Sequence, residues 1–248
     1  MSGHSKWANI KHKKGKADAE RGKIFTKIGR EIAIAVRDGG SDPAINGKLR
    51  DVIAKAKASN MPNENIKRSI AKAAGELGNV NYEEIQYEGY APGGVAVIVS
   101  TVTDNRNRTA SEIRYLFSRN GGNLGETGCV AWMFDRIGRI VIPMEGKEED
   151  DVMMAALDAG AEDVSFEDGN CEVVTLPENL EDVRQALMAA GLEPTEVEVT
   201  RVPKNTVAVE DVDQARQVLK LYDALDEYDD VQNAYSNFEI SDEILEQV

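Results

Sequence analysis

Cysteine and histidine are nearly missing from this sequence: Cys129, Cys171, His4 and His12 are all it contains. Two cysteines cannot make a disulfide framework, and no Cys-x2-Cys or His-x3-His pair occurs, so no metal site is expected. A dyad of Cys129 with a histidine would need the N-terminal end folded onto Cys129, which the pattern does not indicate. Aromatic residues make up only 6%, and no apolar run approaches membrane-spanning length. The start lacks an apolar secretory core, and Ser2 stands where myristoylation requires glycine. The basic opening is not amphipathic in the manner of an organellar presequence. These absences lead us to expect a protein of the reducing cytoplasm with no membrane partner.

Two further absences are local. No acidic residue occurs among the first sixteen, and no basic residue occurs after Lys220. Residues 1–75 hold 17 Lys and Arg against 7 Asp and Glu, a net of +10. Residues 76–248 hold 12 against 37, a net of −25, and the two together give −15 for the 248 residues. One end of the chain is therefore attracted to phosphate while the remainder is repelled.

The opening carries five lysines, two histidines and Trp7, with no apolar repeat of helical or strand period. It reads as a cationic arm, with Trp7 as a stacking or anchoring group. The plain alternative is a solvated chain end. From Ala17 to Asp38, Ile24, Phe25, Ile28, Ile32, Ala35 and Val36 recur at helical spacing, opposite Lys16, Lys23, Lys27, Arg30 and Arg37. Ser41 or Asp42 can cap a second helix that buries Ile45, Leu49, Val52, Ile53 and Ala56. A third, after Pro62, turns Ile66, Ile70 and Ala74 inward and Lys67, Arg68 and Lys72 outward. A basic face continuous with a basic arm, in an otherwise acidic chain, points to a polyanion as partner.

Several segments resemble the YebC/PmpR family of regulatory proteins. They are Gly3-His-Ser-Lys-Trp-Ala-Asn-Ile-Lys-His-Lys-Lys14, Arg21-Gly-Lys-Ile-Phe-Thr-Lys27, Tyr87-Glu-Gly-Tyr-Ala-Pro-Gly-Gly94 and Thr103-Asp-Asn-Arg-Asn-Arg-Thr109. Gly121-Gly-Asn-Leu-Gly-Glu-Thr-Gly-Cys-Val-Ala-Trp-Met-Phe134 and Asn237-Phe-Glu-Ile-Ser-Asp242 extend the likeness over essentially the whole chain. The resemblance implies a helical N-terminal domain ahead of α/β domains, and a DNA-binding transcriptional regulator. It also covers members that act in translation, on ribosomes stalled at sequences such as proline runs, with ribosomal or transfer RNA as the partner.

Beyond Gly75 the pattern changes to strands at Ile85–Tyr90 and Val95–Thr103, a helix at Arg108–Arg119 and a strand at Cys129–Phe134. The pieces completing this layout, a helix at Val212–Tyr228 and a strand at Gln232–Ile240, come only near the end. Between them lie strand Arg139–Pro143, helix Glu148–Ala159, strands Asp163–Glu167 and Cys171–Leu176, helix Leu180–Ala190 and strand Glu196–Arg201. That βαββαβ order is the ferredoxin-like plan. The expected class is thus α+β: a three-helix N-terminal domain, then two α/β domains, the ferredoxin-like one inserted into the other. The expected bounds are residues 1–80, then 81–135 plus 204–248, with 136–203 inserted; Gly75–Asn81 suits a hinge.

The expected nucleic-acid contacts are Lys6, Trp7, Lys11, His12, Lys13, Lys14, Lys16, Arg21, Lys23, Lys27 and Arg30, with Arg106 and Arg108. In Asp104-Asn-Arg-Asn-Arg108 the arginines can fork onto phosphates, or the segment can be a capped turn whose arginines pair with nearby acids. Gly121–Gly128 lacks the Lys-Ser/Thr ending of a phosphate loop and precedes a strand, so it reads as a turn needing positive φ. Carboxylates at Glu145, Glu148–Asp151, Asp226–Asp230 and Asp242–Glu246 show no metal-loop spacing and read as solvated faces. Met153, Met154 and Met188 read as core or helix-face packing. No activated nucleophile, metal set or cofactor loop is visible, so neither an enzyme nor a cofactor is expected.

Overall fold

The computed structural model describes residues 17–75 and 81–248. His4, Lys6, Trp7, Lys11, His12, Lys13, Lys14 and Lys16, and most of the expected hinge, therefore lie outside the described residues. The chain forms two compact units: Met133–Lys204 is one, and the described residues up to Trp132 with Asn205–Val248 are the other. Its class is α+β, with helices first and α/β architecture after them.

Three helices open the first unit: α1 (Ala17–Gly39), α2 (Gly47–Ala58) and α3 (Asn63–Ala73). Ile28, Ile32, Ala35 and Val36 of α1 meet Leu49 and Ala56 of α2 and Ile66 of α3, so one apolar stripe per helix makes a common core. Asn46 joins α1 to α2: its amide donates to the carbonyls of Ala35 and Gly40, and its side-chain oxygen accepts from Leu49 N at 3.0 Å. That cap displaces the expected one. Ser41 and Asp42 lie in the preceding turn, where the Asp42 carboxylate accepts from Ala44 N and its carbonyl from Asn46 N. Ile45 consequently sits ahead of the helix and is 81% exposed, not buried. Ala74 caps α3 on the outside, and Ala73 takes the inward place expected for it. Ile24 lies at the exposed margin of the α1 stripe.

Four strands follow: β1 (Glu83–Ala91), β2 (Val95–Thr103), the short β3 (Asn123–Leu124) and, after the insertion, β9 (Val231–Ser236). Their order is β3-β1-β2-β9, antiparallel throughout. Val95, Val97 and Val99 of β2 bury against Ile113 and Phe117 of α4 (Arg106–Arg119) and against Val218, Leu221 and Leu225 of α7 (Val212–Glu227). The expected strand at Cys129–Phe134 is absent. Residues Ala131–Met133 form a 3-10 turn there, because the backbone donors of Gly128, Val130 and Ala131 turn to the buried Glu88 carboxylate at 2.8–2.9 Å instead of to a neighbouring strand. Gly121 and Gly128 of the same loop hold φ of 75° and 90°, the left-handed region that glycine enters without penalty.

The expected strand Gln232–Ile240 is broken at Asn237, whose side chain accepts from Ala96 N at 2.7 Å and donates to Asn205 O. After it, β10 (Phe238–Glu239) pairs in parallel with β8 (Val207–Ala208), and the short α8 (Asp242–Leu245) follows.

The second unit runs β4 (Phe134–Pro143), α5 (Glu149–Asp158), β5 (Asp163–Glu167), β6 (Asn170–Thr175), α6 (Leu180–Ala189) and β7 (Glu196–Pro203). The sheet order β5-β6-β4-β7, all antiparallel, is the ferredoxin-like arrangement. Ile140, Ile142, Cys171 and Val173 face Val152, Ala156, Val183 and Leu187 of the two helices. Because α5 turns Val152 and Ala156 inward, Met153, Met154 and Leu157 point out. Met154 is 65% exposed, and Met188 of α6 also faces outward, so none of these methionines is core.

Candidate nucleic-acid interface

Among the described candidates, α1 carries Arg21, Lys23, Lys27 and Arg30. Arg21 and Lys23 are exposed near its start. Lys27 and Arg30, one turn further on, face protein. Lys27 Nζ donates to both the carbonyl and the carboxylate of Asp226 at 3.0 Å. Arg30 Nη2 lies 2.9 Å from Asp230 Oδ1, and its other terminal nitrogen donates to the Asp229 carbonyl. Arg37, two turns beyond, reaches the Tyr82 carbonyl and Glu84. The outer face of α1 is thus docked along much of its length on the α7–β9 turn and the start of β1.

Asp230 is the centre of that docking, and it corrects the reading of Asp226–Asp230 as a solvated run. Its side chain is buried, and it accepts hydrogen bonds from Thr109 Oγ1 (2.6 Å), Arg108 Nη2 (2.8 Å), Tyr228 OH (3.0 Å) and Thr103 Oγ1 (3.2 Å), besides Arg30. Burial works against the carboxylate charge, but the donors from Thr109, Arg108 and Tyr228, with the charge of Arg30, outweigh it and hold the group below its ordinary value. The hub forms because β2 ends on Thr103 and α4 starts beside it, while Val102 N donates to the Asp230 backbone carbonyl at 2.8 Å.

The segment Asp104-Asn-Arg-Asn-Arg108 resolves into the capped turn. Asn105 accepts from Arg108 N at 3.1 Å and caps α4, while Arg108 pairs with Asp104 and Asp230. Hydrogen bonding to Asp230 first, and to Tyr228 and Asp104, raises the Arg108 pKa further. Arg106 stands exposed in the first turn of α4, with no carboxylate at ion-pair distance among the described residues. On α3, Lys67 pairs loosely with Glu64 at 3.5 Å, whereas Arg68 and Lys72 are exposed.

Glu88 is the second buried carboxylate that sequence reasoning missed. Burial opposes its charge, but the backbone donors of Gly128 and Val130, then Gln86 and Ala131, prevail and lower its pKa. No periodicity separates Glu88 from its exposed neighbour Glu84 on the same strand face. The Cys129 thiol is pushed up by burial and by the charge of Glu88, and the buried Cys171 thiol reaches about 11, both away from nucleophilic thiolate. Among the described residues there is no cluster of His, Cys, Asp and Glu suited to a metal, and no helix long and apolar enough to cross a membrane.

Relatives share this architecture. A crystal structure of a conserved hypothetical protein from Aquifex aeolicus superposes with a TM-score of 0.84 at 48% identity, covering 93% of this chain and 95% of that one. A protein of Acetivibrio thermocellus named as a probable transcriptional regulatory protein is 60% identical over 96% of this chain and 99% of its own length. One of the same name from Syntrophobacter fumaroxidans is 58% identical over all of both chains. The description "TACO1/YebC protein N-terminal domain" matches residues 5–76, and "TACO1/YebC second and third domain" matches residues 82–238. The chain therefore belongs to the TACO1/YebC family.

Proposed function

We propose that this chain is a non-enzymatic, cytoplasmic regulator that binds DNA and acts in transcription, as the names of its relatives suggest. The observation that carries the reading is the segregation of charge, +10 over residues 1–75 against −25 over the remainder. The phosphate-facing surface on this reading is the arm, with Lys6, Lys11, His12, Lys13, Lys14 and Lys16, continued by Arg21 and Lys23 at the start of α1. Arg68, Lys72 and Arg106 extend it. Lys27, Arg30 and Arg108, engaged by Asp226 and Asp230, set the geometry of that surface and contribute less direct contact.

Replacing Lys11, Lys13, Lys14 and Lys16 together with alanine tests the reading. Affinity for duplex DNA should fall, and the slope of log K against log salt should flatten by about 0.9 per lysine that contacts a phosphate. The melting temperature should barely change. An unchanged slope would mean that the arm is only a solvated tail.

A second reading, a ribosome-associated factor acting in translation, gains support from one observation. The basic face of α1 is docked on Asp226 and Asp230, so α1 is poorly placed to enter a major groove as a recognition helix. RNA recognition needs no such helix. Co-sedimentation with ribosomes, compared with genome-wide DNA occupancy of the same untagged protein, separates the two.

A further inference from the structure

A cleft of about 240 Å³ lies between α1 and α3, lined by Phe25, Thr26, Gly29, Arg30, Ala33, Ser69, Lys72, Ala73 and Tyr82. Three of these residues, Gly29, Ala33 and Ala73, are small. Gly29 is the informative one. It lies inside a helix, where glycine is destabilising relative to alanine. A Cβ built there would meet nothing closer than Ser69 Oγ at 3.6 Å, an ordinary contact. The packing of the described residues therefore does not require glycine at this position, and the open space above it is what the residue preserves.

The walls divide by chemistry. Phe25 and Tyr82 supply aromatic surface, and Ser69 and Tyr82 supply hydroxyls. Lys72 is exposed at the rim, with no carboxylate at ion-pair distance among the described residues. Arg30 is fixed from behind by Asp230 and by the Asp229 carbonyl. Aromatic and hydroxyl groups beside an exposed cation suit a flat base and its phosphate. The volume falls below the roughly 300–1,000 Å³ of sites for drug-sized ligands, so it suits one nucleotide rather than a dinucleotide cofactor.

Resting on the nucleic-acid reading above, we propose that this cleft receives one unpaired nucleotide of a single-stranded nucleic acid, with the base against Phe25 and Tyr82 and the phosphate at Lys72 and Ser69. Paired bases in a duplex are already stacked and cannot enter it. The site thus adds a preference for single strands to the strand-indifferent attraction of the basic arm.

The full chain is titrated with a labelled uridylate dodecamer, a thymidylate dodecamer and a twelve-base-pair duplex DNA. Gly29→Leu fills the cleft without changing any charge, Gly29→Ala leaves most of it open, and Lys72→Gln removes the rim cation. Gly29→Leu should weaken binding to the single strands at least fivefold while leaving the duplex within twofold. Gly29→Ala should bind as the parent does, and equal losses on the two dodecamers would assign the pocket to base and phosphate without regard to sugar. Should Gly29→Leu melt early, Ser69→Leu, which also adds bulk to the cleft without changing any charge, gives the same comparison. An equal loss on single strands and duplex, or no loss on either, overturns the pocket while leaving the arm in place. A parent protein that binds none of the three ligands overturns the nucleic-acid reading and the pocket with it.

Discussion

The two four-stranded sheets of this protein place their charged groups oppositely. In the first, Glu88 and Asp230 are nearly fully buried and take three and four protein donors respectively, besides further contacts from Gln86 and Arg30. In the second, the central charge is Arg139, on the face of β4 away from the helices. It reaches Glu172 and Glu196 at 2.8 Å and Glu198 at 3.3 Å, all three glutamates being at least 30% exposed. The first sheet is completed by segments far apart in sequence, and its buried carboxylates tie those segments together. The insertion closes on itself through an aliphatic core, so its exposed charge pairs join strands that this core and the sheet already hold together. Buried, fully bonded charge fixes an arrangement because removing one member strands the others, whereas exposed pairs are compensated by water.

The sharpest way to break the contrast is to remove Asp230. Asp230→Ala leaves Arg108, Arg30, Thr103, Thr109 and Tyr228 without their shared acceptor. We expect a loss of roughly 3 kcal/mol, the lower end for a broken buried pair, because Arg108 keeps partial access to water. Urea unfolding measures it. A loss below about 1 kcal/mol would mean that the hub is no more than a surface ion pair. The same variant removes the ion pair of Arg30 while leaving Lys27 on Asp226, so affinity for duplex DNA should rise, not fall, if the Arg30 cation can reach phosphate.

Acid sharpens the comparison at an intermediate scale. In the unfolded chain Asp230 and Glu88 take up protons near pH 4, while in the folded chain both are held below that. The stability they contribute is therefore complete above the ordinary carboxylate range and is lost as pH falls through it toward the folded values, because the unfolded state then binds protons that the native state refuses. Hydrogen exchange followed from pH 6 to pH 3 should show β1, β2 and the loop at 128–131 losing protection before β4 and β6. Simultaneous loss in both sheets would deny the buried carboxylates their special role.

Much of the architecture was legible in the sequence because period and turn chemistry report local structure. The six elements of the insertion follow from alternation and helical spacing, and α1 from the recurrence of Ile28, Ile32 and Val36. What escaped depended on distant partners. Spacing places Ile45 in a core, but the helix is capped at Asn46, four residues after Asp42, since the Asn46 amide donates to Ala35 and Gly40. Cys129–Phe134 has strand composition, and only Glu88, some forty residues earlier, diverts its backbone donors. Asp226–Asp230 looks like any acidic run, and nothing local marks Asp230 as the buried member. The same blindness governs the basic residues: spacing places Lys23, Lys27 and Arg30 on one helix face, and only the fold reveals which of them meet acids.

The smallest expected effect lies in the insertion. Arg139→Met removes the charge that Glu172, Glu196 and Glu198 share, while keeping a long apolar stem over β4. Burial disfavours the Arg139 charge, and hydrogen bonds and attraction from Glu172 and Glu196 restore it, so the pairing is favourable. It is nonetheless made with glutamates that water reaches, which return to solvent when the guanidinium is gone. Their mutual repulsion, between Glu196 and Glu198 along β7 and across β4 to Glu172, is the main residual cost, and salt screens it. The expected loss is within about 1 kcal/mol in low salt and smaller at about 0.5 M, measured by urea unfolding at both ionic strengths. A loss as large as that of Asp230→Ala, or one insensitive to salt, would show that the second sheet is also held by a charge it cannot do without.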